Sequence, residues 1–208
     1  KYVASTGKPL IMSTGMATKE EIREAVSCAR EAGCQQLAIL HCVSGYPSPV
    51  TDCNLATITD MAETFGLLTG LSDHSLSNGP AVASVALGAC IIEKHFTLDR
   101  LGGGADDSFS MEPKDLEELV DLTSAAHAAI GAVGYHLKHS EVDNIKFRRS
   151  LYFVKALKAG ERITSDSVRS IRPGYGMLPK MLPNVVGSKV VVSVEIGTPV
   201  TSDLLSKC

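Results

Sequence analysis

The chain has 208 residues, of which 44% are hydrophobic and 21% charged, and a net charge of −3 at pH 7. This is the balance of a globular protein with room for one large or two small domains. It excludes a global basic field for nucleic acid or anionic membrane, so any anionic ligand must be held by local chemistry. No apolar run approaches the roughly 20 residues that span a bilayer, and no signal peptide is recognisable. The six cysteines, at positions 28, 34, 42, 53, 90 and 208, show no CxxC spacing. They read as reduced, mostly buried thiols of a cytoplasmic protein. The opening, "KYVASTGKPLIM", has no initiating Met and reads as though entered mid-domain.

The first expected element is a buried strand in "KPLIMSTG", bounded by Pro9 and Gly15. Thr18 and Glu21 then form a capping-box pattern, and Ile22, Ala25, Val26 and Ala29 repeat at helical spacing until Gly33. "QLAILHCVSG" is a second strand, followed by a helix from Asn54 to Phe65 with Ile58, Met61, Ala62 and Phe65 on one face. "FGLLTGLSDH" is a third strand and Pro80 to Leu87 a small-residue helix. "ACIIEKHFTL" is a fourth strand, and a long helix opened by Ser110 and Pro113 follows.

Strand and helix alternate four times, the signature of α/β units on a parallel sheet. Four units suit a doubly wound sheet or half of a (β/α)8 barrel. The mid-domain start favours the half barrel, because a complete one needs about 250 residues. We therefore expect a partial barrel over residues 1–134 and a linker over 135–148, where "YHLKHSEVDNIKFR" loses periodicity and gains charge. A small, mostly β domain is expected over 149–208, with short strands between Gly and Pro turns. At about 60 residues such a domain is marginal alone and calls for a docking partner.

Ligands of parallel α/β sheets bind at the carboxyl ends of the strands. Polar clusters fall at all four: Ser13-Thr14-Gly15, Ser44-Gly45-Tyr46, Ser72-Asp73-His74 and Glu93-Lys94-His95. Alternation puts Ser72 with His74 on one face, and Glu93 with His95. Two neutral imidazoles at neighbouring strand ends suit a divalent cation such as Mn²⁺ as well as they suit two structural histidines. His41, His127, His136 and His139 read as structural or solvated. Ser13 and Ser72, with turn amides near Gly15, suit a phosphate. The glycines of "RLGGGADDSFS" leave room for backbone to approach a ligand, with Asp106 and Asp107 as loop carboxylates. Arg172, in "IRPGYG", reads as surface charge.

Together "STGMATKEEI", "LHCVSGYPSP", "GLSDHS", "ALGACIIEKHFTLDR", "FRRSLYFVKALKAGE" and "RPGYG" resemble the sialic acid synthase family. Its members are nonulosonic acid synthases, with a (β/α)8 TIM barrel followed by an antifreeze-like (SAF, β-clip) domain. The resemblance implies condensation of phosphoenolpyruvate with the open-chain aldehyde of an N-acetylated amino sugar, giving a nine-carbon 2-keto acid and phosphate. It implies His74 and His95 as ligands of a divalent metal, Mn²⁺ with Mg²⁺ or Co²⁺ as alternatives. It implies Ser13 and Ser72 as phosphoenolpyruvate contacts, and Ser44, Tyr46 and the catalytic-site Asp106 as the lining of the sugar site. It further implies a homodimer in which Arg172 of the small domain reaches the partner's site. "GGGADDSFSMEP" and Ser44 resemble the pseudaminic acid version, with sialic, legionaminic and spore-coat polysaccharide synthases as alternatives. The family's first four strands, with their acidic residue and lysines, have no counterpart here. Half an active site, inactive alone, is the expectation. A non-catalytic binding or assembly module and a different metal-dependent barrel aldolase are the competing readings.

Overall fold

The structure, a computed structural model, describes residues 1–206. It divides into two compact units, Lys1–Ala132 and Val133–Cys208. The first holds strands β1 (Leu10–Ser13), β2 (Leu37–Cys42), β3 (Leu68–Asp73) and β4 (Ile91–Lys94). They are joined and followed by helices α1 (Lys19–Glu31), α2 (Ala56–Phe65), α3 (Gly79–Ala86) and α4 (Pro113–Ile130). The strands lie in chain order, all parallel.

The side on which the helices pack separates a barrel arc from a doubly wound sheet. Val26 and Ala29 of α1 and Met61 of α2 bury Leu37 and Ile39, with Leu10 and Met12 beside them. Ile58 of α2 buries Leu71. Ala81 of α3 and Leu119 of α4 enclose Ile92. By the ladder register these strand residues share one face of the sheet. All four helices therefore cover the same side, as in the wall of a (β/α)8 barrel, whereas a doubly wound sheet carries helices on both. The opposite row is Ile11 and Ser13, then Ala38, Leu40 and Cys42, then Leu68, Gly70 and Ser72, then Ile91 and Glu93. On it Ile11 and Leu68 are more than half exposed. A half barrel shows its inner face in this way.

Local chemistry fixes the helix ends. Thr18 closes the expected capping box: its amide and hydroxyl donate to the Glu21 carboxylate at 2.7 and 2.9 Å, and the Glu21 amide returns to Thr18 Oγ1. α4 departs from expectation. Its N-cap is Glu112, boxed with Asp115, and Ser110 does not cap it. The reason is a parallel bridge between Phe96 and Met111, in which Met111 N donates to His95 O and Thr97 N to Met111 O. Residues 110 and 111 are thereby held extended and the helix starts after them. β4 is also shorter than "ACIIEKHFTL", because its ladder with β3 ends at the Asp73–Lys94 pair.

Cys34, Cys42 and Cys53 are buried and free, as expected, and burial together with the nearby Asp73 carboxylate pushes the Cys53 thiol up. Cys90 is exposed, a correction to the mostly buried reading; its thiol sits 3.1 Å from Thr69 O. Cys208 lies outside the described residues. Among those residues no helix is long and apolar enough to cross a membrane.

In the second unit β5 (Ser150–Phe153) pairs antiparallel with β6 (Val168–Ile171), and α5 (Leu182–Val185) follows. The remaining segments meet through isolated bridges, Leu157 with Val194 and Val190 with Leu205 among them. Leu151, Phe153, Ile163, Val168, Val185, Val190 and Val200 form its core. Residues 135–148 are exposed throughout and contain a 3-10 run at His139–Phe147.

Gly70 tests the packing of the sheet. A Cβ there would lie 2.3 Å from Ile91 O and 2.6 Å from Leu40 Cδ2, and Leu40 is fully buried. Gly70→Ala is expected to destabilise the protein by about 1–3 kcal/mol through overpacking, read as a lowered urea midpoint with unchanged slope.

Candidate active site

Four strand ends and one loop build the site. After β2 the chain turns through Ser44 to Tyr46. After β3 comes His74, and after β4 His95. The imidazoles stand 5.2 Å apart, centroid to centroid. Tyr46 packs on His74 at 4.3 Å and on His95 at 5.7 Å. Phe109, from the loop that precedes α4, packs on His95 at 5.1 Å and Tyr46 at 5.7 Å. Four rings from four segments thus form one cluster.

Each histidine is oriented. His74, buried, has Nδ1 2.8 Å from Val43 O. A carbonyl only accepts, so Nδ1 carries the proton, and Nε2 of the neutral ring carries the lone pair. His95 Nδ1 lies 3.5 Å from Asp106 Oδ2. A carbonyl or carboxylate behind the ring is how a metal-binding imidazole is usually held. The main chain at both residues is tied as well: Ser48 N donates to His74 O and Met111 N to His95 O. Among the described residues no cluster of three or more His, Cys, Asp or Glu side chains forms a ready cage. Two oriented imidazoles fit a divalent cation whose other positions are filled by water or substrate oxygens.

Ser72 is buried and donates its hydroxyl to Glu93 Oε1 at 2.7 Å. Its one proton is therefore committed, and an incoming anion must take it from Glu93. Ser13 ends β1 and is exposed; its Cα pairs with Leu40. Ser44 lies beside Gly15, where a Cβ would stand 3.5 Å from the Ser44 hydroxyl. The first unit thus gathers Ser44, Tyr46, Ser72, His74, His95 and Asp106 around the same strand ends. Arg172 is exposed in the second unit. His41, buried on the helix side with Nε2 2.7 Å from Cys53 O, is structural as expected.

The glycine-rich loop works differently from its reading. Its glycines make room for the loop's own carboxylate. Gly104 N donates to Asp107 Oδ2 at 2.6 Å, and a Cβ on Gly102 or Gly104 would stand 3.0 or 2.8 Å from that oxygen. The Thr97 hydroxyl and the Gly104 amide hold the Asp107 carboxyl below its ordinary value. Ser110 Oγ donates to Asp106 O, and Arg100 ties the loop to α4 through Ser110 O, Glu112 and Asp115. Asp107 is therefore the staple of the loop that carries Asp106 and Phe109 to His95. The sequence alone reads Asp107 as a loop carboxylate and does not single out Phe109. The signal available was the Gly-Gly-Gly before two aspartates, a composition suited to a carboxylate folding back on its own loop.

Comparison with known proteins matches residues 1–135 to the NeuB family and residues 148–206 to the SAF domain. The chain belongs to the NeuB family. It is 37% identical over 197 residues to a pseudaminic acid synthase of Campylobacter jejuni, covering 95% of this chain and 57% of that one. It is 34% identical over 203 residues to an N,N'-diacetyllegionaminic acid synthase of Legionella pneumophila, covering 95% and 57%. The crystal structure of an N-acetylneuraminic acid synthetase from Leptospira borgpetersenii, in complex with citrate, matches with a TM-score of 0.63 at 37% identity, over 69% of this chain and 50% of that one. The chain spans little more than half the length of the curated relatives it matches. Its first unit is half of the barrel of this NeuB fold, and the second is a SAF domain.

The loop staple has a pH signature. The folded-state carboxyl of Asp107 is depressed, so its contribution is complete above the ordinary carboxylate range and lost as pH falls through the lowered value. Amide exchange over residues 102–110 is expected to accelerate, relative to the sheet, in that acid window. Asp107→Ala is expected to show the accelerated exchange at neutral pH already, with protection of β2 and β3 unchanged.

Proposed function

We propose that the intact protein is a sialic-acid-type synthase. It condenses phosphoenolpyruvate with the open-chain aldehyde of an N-acetylated amino sugar, releasing phosphate and a nine-carbon 2-keto acid. Within that class we propose pseudaminic acid synthase. The observation that carries the reading is the His74–His95 pair, oriented from behind and enclosed by Tyr46, Phe109 and Asp106, in a NeuB-family chain.

The methylene carbon of phosphoenolpyruvate is the nucleophile, so no side chain has to be one. It bonds to the aldehyde carbon, whose oxygen takes up a proton. Water adds at the former enol carbon, and the phosphate ester bond to that carbon breaks, leaving the ketone and inorganic phosphate. His74 and His95 would hold a divalent cation, Mn²⁺ with Mg²⁺ or Co²⁺ as alternatives. Such an ion supplies Lewis-acid polarisation of the aldehyde. Ser13 and Ser72 donate to phosphoenolpyruvate, Ser72 by turning its hydroxyl away from Glu93. Ser44, Tyr46 and Asp106 line the sugar, and the ring wall of Tyr46 and Phe109 excludes water from one side. Fixed donors of this kind act where negative charge develops. The protein acts as a homodimer in the cytoplasm, each Arg172 reaching the sugar in its partner's site. The glycine-rich loop before Phe109 and Ser44 after β2 support the pseudaminic assignment over the legionaminic and sialic ones.

The test is phosphate release from phosphoenolpyruvate by the intact protein with a panel of acetamido sugars, with and without EDTA. Metal-dependent release with the pseudaminic precursor sugar is expected. No phosphate release with any sugar, with or without EDTA, would leave a binding or assembly module. His74→Ala and His95→Ala are each expected to abolish turnover and weaken Mn²⁺ binding while the circular dichroism spectrum is kept. Arg172→Ala is expected to raise the KM for sugar and spare that for phosphoenolpyruvate.

A further inference from the structure

The helix-side row of the sheet carries Met12, Ile39, Leu71 and Ile92, with the buried polar Thr69 and His41 among them, and it closes on a charged rung. There Asp73 pairs with Lys94, their side chains 1% and 6% exposed and 2.9 Å apart. The bonding is saturated around one centre. Lys94 Nζ donates to Asp73 Oδ2, to Ser75 O at 2.8 Å and to Ser77 O at 3.4 Å. Asp73 Oδ1 accepts from Ser75 N at 2.9 Å. Holding two strands together does not require charges here. A buried ion pair costs desolvation that its attraction barely offsets, and an apolar pair would serve the sheet as well. The position of the pair supplies the reason. The β3–β4 ladder ends at Asp73–Lys94, and the next residues on the two strands are His74 and His95. The pair stands one residue before both histidines, and through Ser75 it also grips the residue after His74.

We propose that Asp73 and Lys94 are positioning residues for the metal-binding pair: they fix the His74–His95 spacing where the backbone ladder no longer does. The inference rests on the synthase reading for the identity of what the imidazoles hold. They touch neither substrate nor ion and act by placing the backbone on which the imidazoles ride. Neutralising them therefore lets the imidazoles drift apart without exposing the core.

The experiment uses Asp73→Asn/Lys94→Met in the intact protein, which removes both charges at nearly constant volume. Two quantities are measured: Mn²⁺ affinity by calorimetry, and the imidazole ¹⁵N shifts of the metal-free protein at fixed pH. The expected result is a native circular dichroism spectrum with Mn²⁺ affinity lowered about 10–100-fold, the usual cost of losing a supporting group behind a metal ligand. The His74 signals are expected to move from a single Nδ1–H tautomer towards exchange-averaged values. A purely structural pair would lower the melting temperature and leave both readouts where they were. If the double variant does not fold, Asp73→Asn alone decides, since Asn keeps an acceptor for Ser75 N and the shape of the site. A folded variant with wild-type affinity and wild-type ¹⁵N shifts overturns the positioning role and leaves the synthase reading standing. Wild-type protein that binds no Mn²⁺ overturns the metal reading and this inference with it.

Discussion

Parallel pairing imposes one constraint on everything else in the first unit: every strand ends at the same edge. Side chains from segments far apart in the chain therefore converge without any long-range loop to bring them together. Ser72 and Glu93 are neighbours because their strands are in register, and Ser13 and Ser44 stand at or just beyond the ends of β1 and β2 at the same edge. The edge is also where that constraint runs out. β3 and β4 stop exchanging backbone hydrogen bonds at Asp73 and Lys94, so the histidines that follow need other supports. The main-chain bonds from Ser48 and Met111 and the Val43 carbonyl supply part of that support, and the buried ion pair the rest.

The loop after β4 solves the same problem by different means. It has no ladder to lean on and builds its own frame. Asp107 folds back on Gly104, Ser110 holds the Asp106 carbonyl, and Arg100 anchors the whole to the first turn of α4. The result is a short rigid segment that delivers a carboxylate and an aromatic ring to the same imidazole. Two of its three glycines are explained by the Asp107 carboxylate lying where a Cβ would be. A ligand is not needed to account for them.

Periodicity made the four strand-helix units legible, and the strand-end rule made the polar clusters legible as a set. Period 2 paired Ser72 with His74 and Glu93 with His95, and the register adds that Ser72 and Glu93 share one face. What it left open was the fold between barrel arc and doubly wound sheet, because a helix's apolar stripe does not say which side of the sheet it will cover. The register and the packing of Ile39, Leu71 and Ile92 against the helices decide that. Two expectations fell to contacts between segments. Ser110 carried a capping residue's chemistry, but the bridge between Phe96 and Met111 outranked it, and the strand expected through "HFTL" stops at Lys94 because its ladder with β3 ends there. The site residues that sequence missed, Phe109 and the Asp73–Lys94 pair, take their roles from contacts between segments, which no single-segment pattern reports.

The two faces of the strand ends divide the chemistry between them. On the inner side the buried Ser72 hydroxyl donates to the carboxylate of Glu93, an exposed residue. One residue along each strand, on the covered side, Asp73 and Lys94 are sealed from solvent and have every bond filled. A pair exposed to water would be screened and worth little, and a displaceable one would move with each ligand. In the proposed synthase an anion would take the Ser72 hydroxyl from Glu93 in front, while the closed charge pair behind keeps the histidine spacing fixed. The alternation of strand side chains, which places successive residues on opposite faces, is sufficient to produce that division from the consecutive residues Ser72-Asp73 and Glu93-Lys94.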